Sequence, residues 1–293
     1  MQKIALIGLG AMGRPMAENL QARGFLVTAM DISPEACAGF EGAMVPSVDA
    51  LQKVEAVITM LPEGRHVKDA YDNVVLPGAP AGSLLMDCST IDVETTNALA
   101  EKATAHGFYA VDAPVSGGPE AAGKGVLSFM VGGSTEAYGR AAPLLEAMGA
   151  KCSHFGPSGS GQAAKACHNM ICGITAMAVT EGFALADSMG LDLAQFYQLC
   201  CEAAAQSWIM ENRCPVPGVA PGTPASNDYA PGFAAALMAK DLRLAQAAAK
   251  ASGQDTPFGA EAARMFTEFA EVGGAHLDFS AIYATLRNSA KAV

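Results

Sequence analysis

Gly8-Leu9-Gly10-Ala11-Met12-Gly13 follows the apolar run Lys3-Ile4-Ala5-Leu6-Ile7 and opens a stretch of helical periodicity over about residues 13–23. A strand, a glycine turn and a helix in immediate succession form the first half of a β-α-β unit. Further apolar runs at 26–30, 56–60, 84–87, 109–112 and 126–132 read as strands, with helical stretches between them and a helix at 135–148. Near-continuous apolar strands that alternate with helices predict an α/β fold, a doubly wound parallel sheet covered on both faces.

The three glycines have separate tasks in such a turn. Gly8 permits the tight bend, Gly10 lets another molecule approach the backbone, and Gly13 lets the helix lie close on the strand. The free N–H groups and positive dipole end of the helix then face an anion, with Ala11 and Met12 supplying main chain in the same loop. Asp31 closes the second strand, where a carboxylate accepts hydrogen bonds from a ribose diol and repels a 2′-phosphate. The reading is a Rossmann-type dinucleotide site that takes NAD rather than NADP, with Arg14 the nearby cation that complicates it. Leu61-Pro62 and Ser89-Thr90 follow two later strands, at the carboxyl ends where ligands bind in open α/β sheets. Ser89 and Thr90 also read as N-caps of a helix that starts near Val93.

From Gln162 onward the texture changes to alanine- and methionine-rich helical periodicity. Residues 163–189 predict one long helix, apolar on nearly every face and therefore buried in a helical domain or between subunits. Residues 214–232, rich in Pro, Gly, Ser and Asn, predict a long loop, with helices resuming at 233–251 and 257–272. Gly, Pro and Ser cluster at 156–161, which sets the expected division: a dinucleotide-binding domain over 1–161 and an all-α C-terminal domain over 162–293.

Of 293 residues, 51% are hydrophobic and 16% charged, ample for a sizeable core, and the net charge is −11. That balance excludes nucleic acid and anionic membranes as partners, since both need a basic face. The eight cysteines show no C-x-x-C pair and no zinc spacing, so reduced thiols and no metal are expected. With no leader read before the first strand and no apolar run of ~18 residues, the expectation is a soluble, cytoplasmic protein.

Three further segments carry chemistry. Asp112-Ala113-Pro114-Val115-Ser116-Gly117-Gly118 runs on to Phe129-Met130-Val131-Gly132-Gly133; Gly161-Gln162-Ala163-Ala164-Lys165 is followed by Asn169; and Lys240-Asp241-Leu242 lies later. Ser116-Gly117-Gly118 offers a hydroxyl and consecutive N–H groups, a nest that suits a carboxylate. Lys165 and Asn169 share a helical face. A cation on a buried, alanine-rich helix is costly, which favours a functional lysine over a stray one.

These segments, in order and over essentially the whole chain, resemble the β-hydroxyacid dehydrogenase family. Cys214-Pro215-Val216-Pro217-Gly218, Pro224-Ala225-Ser226 and Gly232-Phe233 are similar to the members that act on 3-hydroxyisobutyrate. The resemblance implies NAD-dependent oxidation of a short 3-hydroxy acid, with 3-hydroxyisobutyrate, an intermediate of valine breakdown, giving methylmalonate semialdehyde. It implies Lys165 as general acid/base and Ser116, Gly117, Gly118 and Asn169 on the substrate. It also implies His66, Phe233 and Lys240 on the cofactor side, beside Gly8, Gly10, Ala11, Met12, Gly13, Asp31, Leu61, Pro62 and Thr90. A second cation at Lys240 would help lower the pKa of Lys165. Two positions depart from the family pattern: His168 stands where asparagine is usual, and His66 where a polar residue, often asparagine, meets the cofactor. The alternative within the family is a tartronate or succinate semialdehyde reductase; outside it, a dinucleotide-binding scaffold without turnover, which the presence of Lys165 disfavours. A homodimer or homotetramer is expected.

Overall fold

The strand that precedes the glycine turn, β1 (Lys3–Ile7), buries every residue after Lys3. Its side chains alternate between two apolar layers: Ile4 and Leu6 pack with Met16, Ala17 and Leu20, while Ala5 and Ile7 pack with Val57, Val67 and Leu85. A strand buried on both faces explains why the sequence there is apolar without alternation. The structure is a computed structural model that describes residues 2–44 and 48–291. The chain divides into two units, Met1–Lys165 and Ala166–Val293.

In the first unit the strands are β1, β2 (Leu26–Met30), β3 (Ala43–Met44), β4 (Ala56–Thr59), β5 (Leu84–Asp87), β6 (Tyr109–Asp112), β7 (Val115–Ser116), β8 (Leu127–Gly133) and β9 (Gly149–Gly156). Among the described residues they form one sheet in the order β3-β2-β1-β4-β5-β6-β8-β7, with β9 also on β8. Every pair from β3 to β6 is parallel, whereas β8 runs antiparallel to β6 and β7. The chain winds outward from β1 in one direction through β2 and β3, then returns to lay β4 on the other side of β1. The carboxyl ends of β1 and β4 therefore flank a topological switch point. The doubly wound α/β fold expected from the sequence is the fold observed.

The second unit is helical apart from an isolated bridge between Ala234 and Asp278, among the described residues. Its core gathers Phe183, Met238, Leu242, Phe266, Phe279 and Tyr283. The helix Ser160–Ser188 begins in the first unit and runs on through the boundary. By length and composition it is apolar enough to cross a membrane, yet Ala176, Met177, Val179 and Phe183 lie in this protein core. Within the single chain the helix is not buried all round: Ile171 and Leu185 are 63% and 62% exposed.

Candidate active site

The glycine loop leaves β1 at the switch point. Gly8 N–H donates to Met30 O (2.8 Å), and Met60 N–H donates to Ile7 O (2.9 Å), so the ends of β1, β2 and β4 are laced together. Gly8 has φ +102°, and a Cβ there would strike the Met60 carbonyl. A Cβ on Gly13 would strike the Gly8 carbonyl, while one on Gly10 would meet no heavy atom within 4 Å among the described residues. The loop is thus closed below and open above at Gly10, the shape a pyrophosphate requires. Gly13 opens the helix Gly13–Ala22, with Met12 at its N-cap and Ala11 in the turn before it.

Asp31 stands at the end of β2 with its carboxylate turned back to the loop. Leu9 N–H donates to Oδ2 (2.6 Å) and Ser33 N–H to Oδ1 (2.8 Å). Arg14 turns elsewhere: its Nη2 donates to the carbonyls of Ala36 and Ala38, each at 2.6 Å. Next along the sheet edge, Leu61 N–H donates to Ser89 Oγ (2.9 Å), joining the ends of β4 and β5 with Pro62 and Thr90 alongside in sequence. His66 lies on the helix Gly64–Ala70, and its buried Nδ1 has no hydrogen-bond partner among the described residues. An orphaned buried ring nitrogen on the helix that follows β4 fits a polar ligand. The Rossmann edge therefore fits NAD: Gly8 to Gly13 would cradle the diphosphate, Asp31 the ribose.

The cap of the helix Val93–Ala105 differs from expectation. Asp92, directly before it, accepts the Thr95 N–H at 2.7 Å, whereas the Ser89 hydroxyl serves Leu61. The carboxylate reaches the first turn from the position directly before the helix.

Beyond β7, Gly117 and Gly118 take φ +131° and +68° and lead into the short helix Gly118–Gly123. Only glycine enters this bend freely, and at Gly117 a Cβ would also come within 2.6 Å of Ala121 Cβ.

Lys165 lies in the second turn of Ser160–Ser188 and is 7% exposed. What sets that helix in place was missed in the sequence. Asp112, 2% exposed at the end of β6, accepts N–H bonds from Gly159 (Oδ1, 2.8 Å) and Gln162 (Oδ2, 2.8 Å). It caps the helix from a remote strand. The side chain of Gln162 then accepts from Ile91 N–H (3.2 Å) and donates to Ser89 O (2.7 Å). Gly132 and Gly161 are required here, because a Cβ on either would crowd the Asp112 carboxylate. Burial pushes the Asp112 carboxyl above its ordinary range, offset in part by the helix N–H groups. The signal available in the sequence was an acid at the end of a buried strand.

In the second unit, Asn169 follows Lys165 by one turn of the same helix and is 4% exposed. The helix Ala235–Ser252 crosses it closely at Gly173, where a Cβ would come within 2.8 Å of Leu242 Cδ2. That approach brings Asn169 Nδ2 to Asp241 Oδ2 at 2.5 Å, and Lys240 Nζ lies 3.2 Å from Asp241 Oδ1. Asn169 and Lys240 are thus brought together through Asp241, which the sequence reading quoted without a role. Phe233 is not part of this group. Its N–H, with that of Gly232, donates to the fully buried Asp278 Oδ2, and its ring packs edge-on against Phe279. Asp278 so closes the long 214–232 segment, within which Pro224–Ser226 forms a 3-10 turn.

Comparison with known proteins identifies the family. Residues 3–156 match the family model described as the NAD binding domain of 6-phosphogluconate dehydrogenase. Residues 159–286 match that described as NAD-binding of NADP-dependent 3-hydroxyisobutyrate dehydrogenase. A probable 3-hydroxyisobutyrate dehydrogenase of Mycobacterium tuberculosis is 42% identical over the full length of both chains. An NAD-dependent L-serine dehydrogenase of Pseudomonas aeruginosa is 40% identical over 96% of this chain and 97% of its own. The solved structure of M. tuberculosis 3-hydroxyisobutyrate dehydrogenase with L-serine superposes with a TM-score of 0.93 at 42% identity, covering 98% of this chain and 99% of that one. The chain belongs to the 3-hydroxyisobutyrate dehydrogenase family, a family of NAD-binding oxidoreductases.

Proposed function

We propose that this protein oxidises 3-hydroxyisobutyrate to methylmalonate semialdehyde, a step of valine breakdown, in the cytoplasm. The observation that carries the reading is a lysine 7% exposed on the helix that also bears Asn169, in a chain 42% identical to a probable 3-hydroxyisobutyrate dehydrogenase. NAD, when bound, accepts the hydride from the carbinol carbon. The Lys165 amine takes the hydroxyl proton as the C–O bond becomes a carbonyl, and passes it to water. Ser116 and the N–H groups of Gly117 and Gly118 bind the carboxylate, and Asn169 holds the substrate. Gly8, Gly10, Ala11, Met12, Gly13, Leu61, Pro62, His66 and Thr90 serve the dinucleotide in residues 1–161. Phe233 and Lys240 serve it from the helical domain, 162–293. Preference for NAD over NADP follows from Asp31 at the ribose position and from Arg14, whose Nη2 is committed to two main-chain carbonyls.

L-Serine is the second reading, favoured by the L-serine dehydrogenase at 40% identity and by the L-serine named with the solved relative. It has the same hydroxymethyl group beside a carboxylate-bearing carbon, with an ammonium in place of the methyl. The deciding measurement is steady-state turnover of 3-hydroxyisobutyrate, L-serine, and tartronate and succinate semialdehydes, with NAD(H) and NADP(H). The expected result is the highest kcat/KM on 3-hydroxyisobutyrate with NAD; a higher value on L-serine or a semialdehyde replaces the first reading. In the same assay Lys165→Ala should lose about 10²–10⁴-fold in turnover with NAD binding nearly intact. Undiminished turnover in that variant removes the mechanism.

The working form is a homodimer or homotetramer. Ile171, Ala178 and Leu185 recur every seventh residue on the exposed side of Ser160–Ser188 and supply a seam for a second copy.

A further inference from the structure

Asn169 is held from two sides. Its Nδ2 donates to Asp241 Oδ2 at 2.5 Å, and its Oδ1 lies 2.8 Å from His168 Nδ1. A carboxylate only accepts, so Asp241 decides which end of the carboxamide faces it. The amide oxygen is thereby turned toward His168. An amide oxygen also only accepts, so the imidazole carries its hydrogen on Nδ1 at this contact. On the far side of Asp241, Oδ1 lies 3.2 Å from Lys240 Nζ without an aligned hydrogen bond among the described residues. The chain His168–Asn169–Asp241–Lys240 has a fixed polarity, anchored at the buried carboxylate.

A carboxamide has nearly the same shape after a half-turn, so packing alone fixes its orientation poorly. We propose that His168 and Asp241 are positioning residues that lock the Asn169 carboxamide in one orientation. One amide N–H and one oxygen lone pair remain for the substrate, always in the same places. The proposal rests on the reading that Asn169 holds the hydroxy acid. It also gives the departure at position 168 a physical meaning. Asparagine carries its amide nitrogen as many bonds from the main chain as histidine carries Nδ1, so both present an N–H to the same oxygen.

The test uses the purified full chain with NAD and the hydroxy acid it turns over best. His168 is exposed and Asp241→Asn is isosteric, so neither change should unfold the protein, which a thermal melt checks. His168→Ala should raise KM for the acid about threefold to tenfold, with kcat within about twofold and KM for NAD unchanged, the size of one net hydrogen bond. His168→Asn should restore KM to within about twofold of the parent. Asp241→Asn, which offers both donor and acceptor, releases the orientation and should raise KM by a similar factor.

Asn169→Ala separates the two ideas. If it raises KM while His168→Ala and Asp241→Asn do not, the clamp is overturned and the role of Asn169 stands. If Asn169→Ala leaves KM unchanged, or no acid of the panel is turned over, the underlying reading falls and takes the clamp with it. A His168→Asn variant no better than His168→Ala overturns the donor role of His168.

Discussion

Asp87 illustrates how a single carboxyl in this sheet links structure to pH. It ends β5 and is the register partner of Asp112 on β6, so two acids lie side by side at the buried edge. Its Oδ1 accepts from Thr59 Oγ1 (2.7 Å) and Ser89 N–H (3.1 Å), but its buried Oδ2 has no partner among the described residues. Asp87 borders a cavity of about 20 Å³ that Tyr71, Thr96 and Asp112 also line, room for about one water. Burial pushes the Asp87 carboxyl upward, against the hydrogen bonds from Ser89 and Thr59 that hold it down. A raised folded pKa means that folding favours the protonated acid. Its stabilising contribution is therefore complete below the unfolded value of about 3.9 and is lost as pH rises through the folded value. Asp87→Asn keeps an oxygen for Thr59 and Ser89 and has no proton to lose. The Tm advantage of this variant should grow as pH rises from about 4 and level off once the parent carboxyl is ionised. Thermal melts across that window check it, and parallel Tm curves for the two proteins would remove the argument. Asp112, also raised, should leave a smaller slope in the variant.

At the scale of elements, the same chemistry fixes where the long helix starts. The periodicity of the sequence begins it near residue 163, but the structure begins it at Ser160. The difference is made by Asp112 and Gln162, whose partners lie 47 and 73 residues away in sequence, beyond any local window. The cap at Asp92 escaped for the opposite reason, because Ser89 and Thr90 carry the same capping chemistry and only geometry ranks them. The central parallel strands were legible because burial on both faces leaves them almost purely apolar. β9, with exposed Lys151, Ser153, His154 and Phe155, has no such pattern and was not read as a strand. The glycine loop, Asp31, Lys165 and Asn169 were legible as motifs, while Asp241 gains meaning only when two helices cross. Gln162→Leu tests the helix anchor. It orphans the Ile91 N–H and the Ser89 carbonyl in a buried setting, at about 1–3 kcal/mol for each group. Urea unfolding should show that loss, and kcat should fall too, because Lys165 lies one turn beyond Gln162. Unchanged stability would mean that the N-terminus of the helix is held by Asp112 alone.

For the molecule as a whole, the exposed apolar side chains decide the next question. Ile171 and Leu185 on the long helix, and Met189 just after it, are 63%, 62% and 67% exposed. Scattered apolar residues on a surface need no explanation, but a row with heptad spacing on one helix does. Burying a side chain of this size contributes about 1.5–3 kcal/mol, and a two-fold interface doubles each gain because both copies present the same residues. The net charge of −11 works against association by repulsion, yet the acids near this seam are few: Glu181 is the one acid between Ile171 and Leu185. The protein should therefore sediment as a dimer or tetramer at micromolar concentration. Leu185→Glu should shift it to the single chain while circular dichroism shows the helices intact, since an exposed position tolerates the charge within the monomer. If the parent protein sediments as a single chain at those concentrations, the seam is not a subunit contact. If instead the variant assembles as the parent does, the contact lies on another face.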